Sequence, residues 1–490
     1  MLAEVKKLVK HSMIYGLGSL LNRLLGFVLL PIYTRYLTPT DYGILSLLVV
    51  TGSVAGIIVP LGFSSAMFRE VIYQESDERT VESTALYFLV GESVLFFGAL
   101  ITCSPQLSSL IFDNPEYAYL LRLVFLTGLL NVSNAVVTAK LRIHEQSALY
   151  SSLFAAKFLI GAMLNIYFIV VLQRGVEGLI TAGLILAAMF AVVHLMLLIR
   201  DLRPTFSIPI LRRMLSFGVP LVPFGLAHFV MTYVDRYFLQ HFSTAAEVGI
   251  YSLGYNFGMV IMLLVGSIQL AWPARMFTIA KKANAEWQFA KMLTYYLLVL
   301  GFIALVLSVL AHEVLAIMTT PRFYEAYTVV PLIALSYVLY GAIYLTNTAL
   351  ETQNRIKYMS PIIVICAALN SALNYLLIPH YGMMGAAWAT VITYLALVVI
   401  QTAVNLHFWF IPYEYRRIGK ITLVWGMIYA ASLLIQTPSI WLNGSLKLVL
   451  VATYPFFLYL LRFYQEQELS SLKRTFQSRT YRIRTWGTGS

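Results

Sequence analysis

Residues 34–47 read TRYLTPTDYGILSL, and residues 235–253 read DRYFLQHFSTAAEVGIYSL. Arg35 falls on Arg236 at an offset of 201, and Gly43-Ile44 falls on Gly249-Ile250 at 206. Further along, LNIYFIVVLQRGVEGLITA at 164–182 pairs with LNYLLIPHYGMMGAAWATV at 373–391. There Asn165 falls on Asn374 at 209, and Gly175 and Gly178 fall on Gly382 and Gly385 at 207. Apolar helices resemble one another at scattered offsets, so separated matches at nearly one offset mark an internal repeat.

The repeat is built from apolar runs. A helix needs about 20 apolar residues to cross a hydrocarbon core of roughly 30 Å. On that rule spans lie near 12–36, 43–67, 83–103, 118–139, 149–172 and 177–199. A second set lies near 212–237, 247–271, 291–311, 326–348, 359–379 and 383–405, and a last pair near 419–436 and 442–461. Each repeat thus holds six spans. An even number returns the chain to its starting side, so the halves share one topology and are related by an axis along the membrane normal.

The reading is an all-α polytopic membrane protein of about 14 transmembrane helices: two six-helix bundles related by a pseudo-twofold axis, plus two appended helices. Residues 1–205 form the first bundle and 206–410 the second. Residues 411–462 hold the appended pair, and 463–490 a basic tail. Composition agrees, with 11 % charged and 59 % hydrophobic residues. A water-facing surface cannot be covered with so few charges, whereas ordinary globular chains carry roughly 25 %.

The net charge of +12 is scattered through short segments between apolar runs, unlike the dense stripe of a nucleic-acid binder. With the N-terminus inside, about 26 of the Lys and Arg residues fall on that side and about 5 on the other, an asymmetry that puts both termini in the cytoplasm. Lys6, Lys7 and Lys10 precede the first apolar run, which is too long for a signal-peptide core and reads as an uncleaved span. Two cysteines, Cys103 and Cys366, imply no disulfide framework.

Ionisable groups at mid-membrane depth are the sharpest functional clue, because each is costly when it faces lipid. Arg23, Glu92 and Lys157 fall within spans 1, 3 and 5, Arg122 a turn into span 4, and Asp235-Arg236 at the outer end of span 7. One reading is a wet cavity whose cations (Arg23, Lys157, Arg122, Arg35 and Arg236) hold an anionic headgroup. Glu92 and Asp235 would then balance charge or carry a coupling ion. The plainer alternative is static ion pairing between helices, for instance Glu92 with Arg23. His194 and His228 read as packing residues. Span 7 contains SFGVPLVPFGLA at 216–227, where Gly218, Pro220, Pro223 and Gly225 suit either a hinge or ordinary kinked packing. Amides such as Asn131, Asn134, Asn165, Asn370 and Asn374 read as hydrogen bonders between helices.

Some chemistry is missing from the sequence. It holds no phosphate-binding loop of the G-x-x-x-x-G-K-[ST] type, no HExxH or CxxC spacing and no nucleophile elbow, so neither an ATPase site, a metal nor another cofactor is expected.

The opening SMIYGLGSLLNRLLGFVLLPIYTRYLTPTDYGILSL resembles the start of polysaccharide-biosynthesis flippases of the O-antigen translocase type. These belong to the multidrug/oligosaccharidyl-lipid/polysaccharide exporter superfamily. FGVPLVPFGLAHFVMTYVDRYFLQHF with the following VGIYSLGYNFG, and LNYLLIPHYGMMGAAWAT, are similar to the same family's middle and twelfth-span segments. The resemblance implies flipping of a polyprenyl-diphosphate-linked oligosaccharide to the outer leaflet, with no nucleotide site. It also implies roles for Arg23 and Arg35 in the opening motif and for the Asp235-Arg236 pair. Its partners would be membrane lipid, the lipid-linked glycan, and a polysaccharide polymerase with chain-length proteins. A cation-coupled multidrug exporter would want a more acidic cavity, and a lipid II flippase of the same superfamily stays open. A membrane glycosyltransferase or polymerase fits worse, because the outer loops are short and the one near 104–117 carries only Asp113 and Glu116.

Overall fold

The computed structural model describes residues 29–466 and 468, and among them every regular element is a helix. The first half runs α1 (Leu30–Tyr36), α2 (Pro39–Ile58), α3 (Phe63–Ile72), α4 (Glu78–Thr102), α5 (Ser104–Phe112), α6 (Ala118–Leu130), α7 (Ser133–Ile143), α8 (Ser147–Ile166) and α9 (Gly175–Leu198). Next come α10 (Ile208–Gly218), α11 (Val222–Tyr233), α12 (Asp235–Phe242), α13 (Ala245–Gly258), α14 (Ile261–Ala280), α15 (Ala285–Val309), α16 (Ala311–Met318), α17 (Val330–Thr346) and α18 (Thr348–Thr352). The chain continues through α19 (Met359–Phe408), α20 (Tyr415–Leu433), α21 (Ile440–Ala452) and α22 (Tyr454–Leu460).

Ten of these helical segments are long and apolar enough to span a membrane, or eleven when the bent pair Ala245–Gly258 and Ile261–Pro273 is taken as one crossing. Three features relate this to the expected crossings. Most of the first one lies outside the described residues. The 50-residue α19 is interrupted at Gly382, whose φ of 53° and ψ of −133° are not helical. Asn370 Nδ2 donates to Thr393 Oγ1 at 3.2 Å, whereas an unbroken helix would hold these residues roughly 35 Å apart. The chain therefore folds back at Gly382, and α19 contains both crossings expected near 359–379 and 383–405. Finally, α20 is 19 residues long but opens with Arg416, Arg417 and Lys420, which dilute its apolar run. Many large apolar side chains, such as Leu95, Leu110 and Val449, point outward, as lipid-facing positions do.

The repeat is visible in local chemistry. Thr38 caps α2 by accepting from Asp41 N at 3.1 Å, and Thr38 N donates back to Asp41 Oδ2 at 2.9 Å, a reciprocal capping box. At an offset of 206, Thr244 caps α13 by accepting from Glu247 N at 3.2 Å. Gly175 and Gly382 both have positive φ, 54° and 53°, at the turn into the last crossing of each half. Glycine enters that region without steric cost.

The repeated segments also touch one another. A Cβ added to Gly43 would overlap the Ala245 carbonyl oxygen, and one added to Gly249 would overlap the Pro39 carbonyl oxygen. Ser46 and Ser252 share a hydrogen bond of 2.8 Å. Each contact is the mirror of its partner under the 206-residue offset, as a local twofold axis between α2 and α13 requires. Backbone-to-backbone approach this close needs glycine at both crossing points.

At the opposite face α3 packs on α10. The Glu70 carboxylate, 1 % exposed, accepts from Arg213 Nε and Nη2, each at 3.0 Å for Oε2. Nearby, Lys140 Nζ donates to Glu82 at 3.0 Å and to Asp201 at 2.6 Å, tying the 199–207 connection to α4 and α7. The hydrogen bond from Lys140 holds the Asp201 carboxyl below the usual carboxylate range. Helix α21 is fastened to α16 by a buried carboxylate: Glu313 Oε1 accepts from Lys447 Nζ at 2.7 Å and from Asn443 Nδ2 at 2.6 Å.

Candidate functional site

A cavity of about 670 Å³ opens among α2, α6, α7, α8 and α9. Small residues make the space. Gly52, Ser53 and Gly56 on α2, Gly161 on α8 and Gly183 on α9 line it, and a Cβ on Gly56 or Gly183 would meet nothing within 4 Å. The walls are mostly apolar, with a cluster of polar groups, the usual composition of a ligand site.

Lys157 is the one cation that the described walls contribute. Its Nζ donates to Asn131 Oδ1 at 3.2 Å and lies 5.7 Å from the centre of the Phe190 ring. Asn131 Nδ2 in turn donates to Thr127 O at 2.9 Å. Across the cavity Asn165 Nδ2 donates to Tyr33 OH at 3.0 Å. Behind Lys157 a water-sized gap reaches His194, whose Nδ1 is 3.1 Å from Ser133 Oγ. The ammonium thus sits among amides, hydroxyls and rings, and among the described residues no carboxylate pairs with it. Such a group can hold an anion without first breaking an ion pair.

The other residues singled out in the sequence lie elsewhere. Arg23 is outside the described residues. Arg35 is exposed at the end of α1. Arg122 Nε donates to Ser104 Oγ at 2.9 Å, joining α6 to α5. Glu92 is on α4 and does not line the cavity, and its Oε2 is buried without a hydrogen-bond partner among the described residues. Asp235 and Arg236, in the second half, are 2 % and 3 % exposed and paired at 2.7 Å. Tyr251 OH also donates to Asp235, Arg236 Nη1 donates to Thr232 O at 2.8 Å, and the guanidinium lies 4.2 Å from the centre of the Tyr255 ring. The four expected cations among the described residues, Lys157, Arg35, Arg122 and Arg236, therefore do not share one cavity. The cavity's described lining comes entirely from residues 33–186, inside the first half rather than between the halves.

Span 7 is interrupted where its prolines fall. A 3₁₀ turn at Val219–Leu221 separates α10 from α11, as the missing amide of Pro220 favours. A Cβ on Gly218 would overlap the Leu61 carbonyl oxygen, and one on Gly225 would come within 3.0 Å of Ile57 Cγ2. Both glycines face the α2–α3 corner, so the interruption lies where residues 208–233 pack on α2 and α3. Asn131 and Asn165 make hydrogen bonds between helices, as their positions within apolar spans suggest, and with Asn134 they also line the cavity, which the sequence did not show; Tyr33 on the same wall carried no signal of its own.

Comparison with known proteins places this geometry. Residues 8–274 match the sequence model of the family described as "Polysaccharide biosynthesis protein". The structure aligns with "Lipid II flippase MurJ, inward closed conformation" at a TM-score of 0.74 and 14 % identity, covering 92 % of this chain and 98 % of that one. It aligns with the inward-facing conformation of a multidrug resistance MATE family transporter of the MOP superfamily at 0.60 and 16 % identity, covering 82 % and 96 %. A curated relative, an uncharacterised membrane protein of Methanocaldococcus jannaschii, is 22 % identical over 205 residues, 40 % of this chain and 39 % of that protein's length. The structural likenesses show the fold, and the sequence match covers more than half of the chain. The chain is a multi-pass membrane protein with the fold of MurJ and the MATE transporters, and it belongs to the Polysaccharide biosynthesis protein family.

Proposed function

We propose that this protein flips a polyprenyl-diphosphate-linked oligosaccharide from the cytoplasmic to the outer leaflet of the cytoplasmic membrane for surface-polysaccharide assembly. The single observation that carries the reading is the cavity in which Lys157, held by Asn131 rather than by a carboxylate, faces a space of about 670 Å³. A diphosphate cannot cross hydrocarbon unaided, so a flippase must offer a wet cation at that depth. Asparagines and Tyr33 on the same walls suit sugar hydroxyls. Family membership and the likeness to a lipid II flippase support a lipid-linked glycan as cargo.

In this reading residues 1–205 and 206–410 rock against each other by alternating access, with the Gly218–Gly225 interruption as hinge and both termini cytoplasmic. Residues 411–462 are an appended pair, and 463–490 a basic tail on the cytoplasmic side. Lys157 meets the headgroup with Arg23, while Arg35, Arg122 and Arg236 lie outside the described walls of its cavity. Asp235 balances Arg236, and either Asp235 or Glu92 carries a coupling ion. A polymerase and chain-length proteins take up the product.

The test is reconstitution into liposomes loaded with candidate lipid-linked oligosaccharides or lipid II, scoring leaflet accessibility with and without a proton or sodium gradient. Faster exposure of a polyprenyl-diphosphate glycan than in protein-free liposomes is expected. Movement of lipid II alone would favour the second reading, a lipid II flippase, which the MurJ-like fold also supports. Movement of neither would overturn both.

A further inference from the structure

On the face where α3 and α7 end, a depression of about 350 Å³ lies between them and α10. Ser65, Phe68, Arg69, Tyr73, Arg142 and Phe217 line it. Arg69 and Arg142 occupy the last turns of α3 and α7, where the helices leave the apolar layer on the side that the Lys/Arg bias puts inside. Each guanidinium faces a ring: Arg69 lies 5.2 Å from the centre of Phe217, and Arg142 5.9 Å from that of Phe68.

The neighbouring acids are engaged by other cations. Glu70 is held by Arg213, while Glu82 and Asp201 are held by Lys140. Among the described residues neither Arg69 nor Arg142 joins an ion pair. A guanidinium stacked on a ring keeps its in-plane donors free for a phosphate, which it can meet with two parallel hydrogen bonds. Two such cations over two phenyl rings match a ligand that is anionic at one end and apolar at the other.

We propose that this depression binds one anionic phospholipid of the inner leaflet, its phosphate held between Arg69 and Arg142 and the start of an acyl chain against Phe68 and Phe217. It shares no lining residue with the Lys157 cavity, so it stands apart from the path proposed for cargo and does not depend on it. Arg69 and Arg142 belong to the first half and Phe217 to the second. An occupied site therefore joins the halves beside the Glu70–Arg213 pair, and the inner-leaflet lipid becomes part of the seam.

The test uses the full-length protein, delipidated in a neutral detergent, with native mass spectrometry to count retained lipid. Phosphatidylglycerol, phosphatidylcholine and inorganic phosphate are added in separate arms. Wild type should retain one phosphatidylglycerol in preference to phosphatidylcholine, and inorganic phosphate at equal concentration should not displace it. R69Q/R142Q should bind phosphatidylglycerol roughly 30-fold more weakly, the effect of two arginines at an anionic lipid surface. Arg200→Gln, which removes an exposed cation on the same face, should bind as wild type does. Should the double variant fail to fold, Arg142→Gln alone, at an exposed position, should weaken binding roughly 5-fold. Undiminished retention in the arginine variants, equal retention of phosphatidylcholine, or displacement by inorganic phosphate would each overturn the proposal.

Discussion

Replacing Lys157 by glutamine separates a transport role from a structural one, because the two predict opposite signs. Its ammonium has Asn131 Oδ1 at 3.2 Å and the Phe190 ring at 5.7 Å. Holding a half-buried charge without a carboxylate costs folding free energy. Glutamine keeps a donor for Asn131 and removes that cost, so the thermal midpoint of K157Q should equal or exceed the wild-type value. Cargo binding should move the other way. A hydrogen bond to a charged group contributes about 1.5–3 kcal/mol, so affinity for a diphosphate headgroup should fall roughly 10- to 150-fold. The assay pairs thermal unfolding of purified protein with flipping of lipid-linked oligosaccharide in liposomes, and with surface-polymer levels in cells expressing each variant at equal abundance. Lys157→Arg, which keeps the charge, should retain part of the activity. Wild-type flipping by K157Q would refute the reasoning, as would a loss of activity that merely tracks a lowered midpoint.

In a background lacking Cys103 and Cys366, Ser46→Cys with Ser252→Cys should cross-link on mild oxidation. The two hydroxyls are 2.8 Å apart, and a disulfide spans a comparable gap. The cross-link should stop flipping, and reductant should restore it. Full activity in the oxidised protein would show that α2 and α13 need not separate. At the appended helices, Lys447→Met strands the Glu313 carboxylate, which is 5 % exposed. The loss should approach about 3–5 kcal/mol, and E313Q/K447M should recover most of it. A double variant as unstable as K447M would mean that the loss comes from removing the pair itself and not from a stranded carboxylate, as denaturant titration in detergent would show.

Local chemistry explains what could be read early. The capping residues Thr38 with Asp41 and Thr244 with Glu247, and the turn glycines Gly175 and Gly382, act through the few residues beside them. Their recurrence at 206 and 207 residues therefore exposes the repeat in the sequence itself. Apolar run length likewise decides that the chain crosses a membrane many times, because the bilayer's thickness sets one scale for every span. The fold-back at Gly382 was equally legible as a turn.

How the helices rotate and pack was a different matter. Position in a span tells how deep a side chain lies and says nothing of the direction it faces. Lys157 and Asp235 both read as mid-membrane or near-membrane ions. Packing turned the first toward an open space beside Asn131, 26 residues away in the chain, and closed the second on Arg236 and Tyr251. Whether a charge at a given depth meets lipid, a partner or water depends on how separate helices rotate against one another, and that choice exists only once they have assembled.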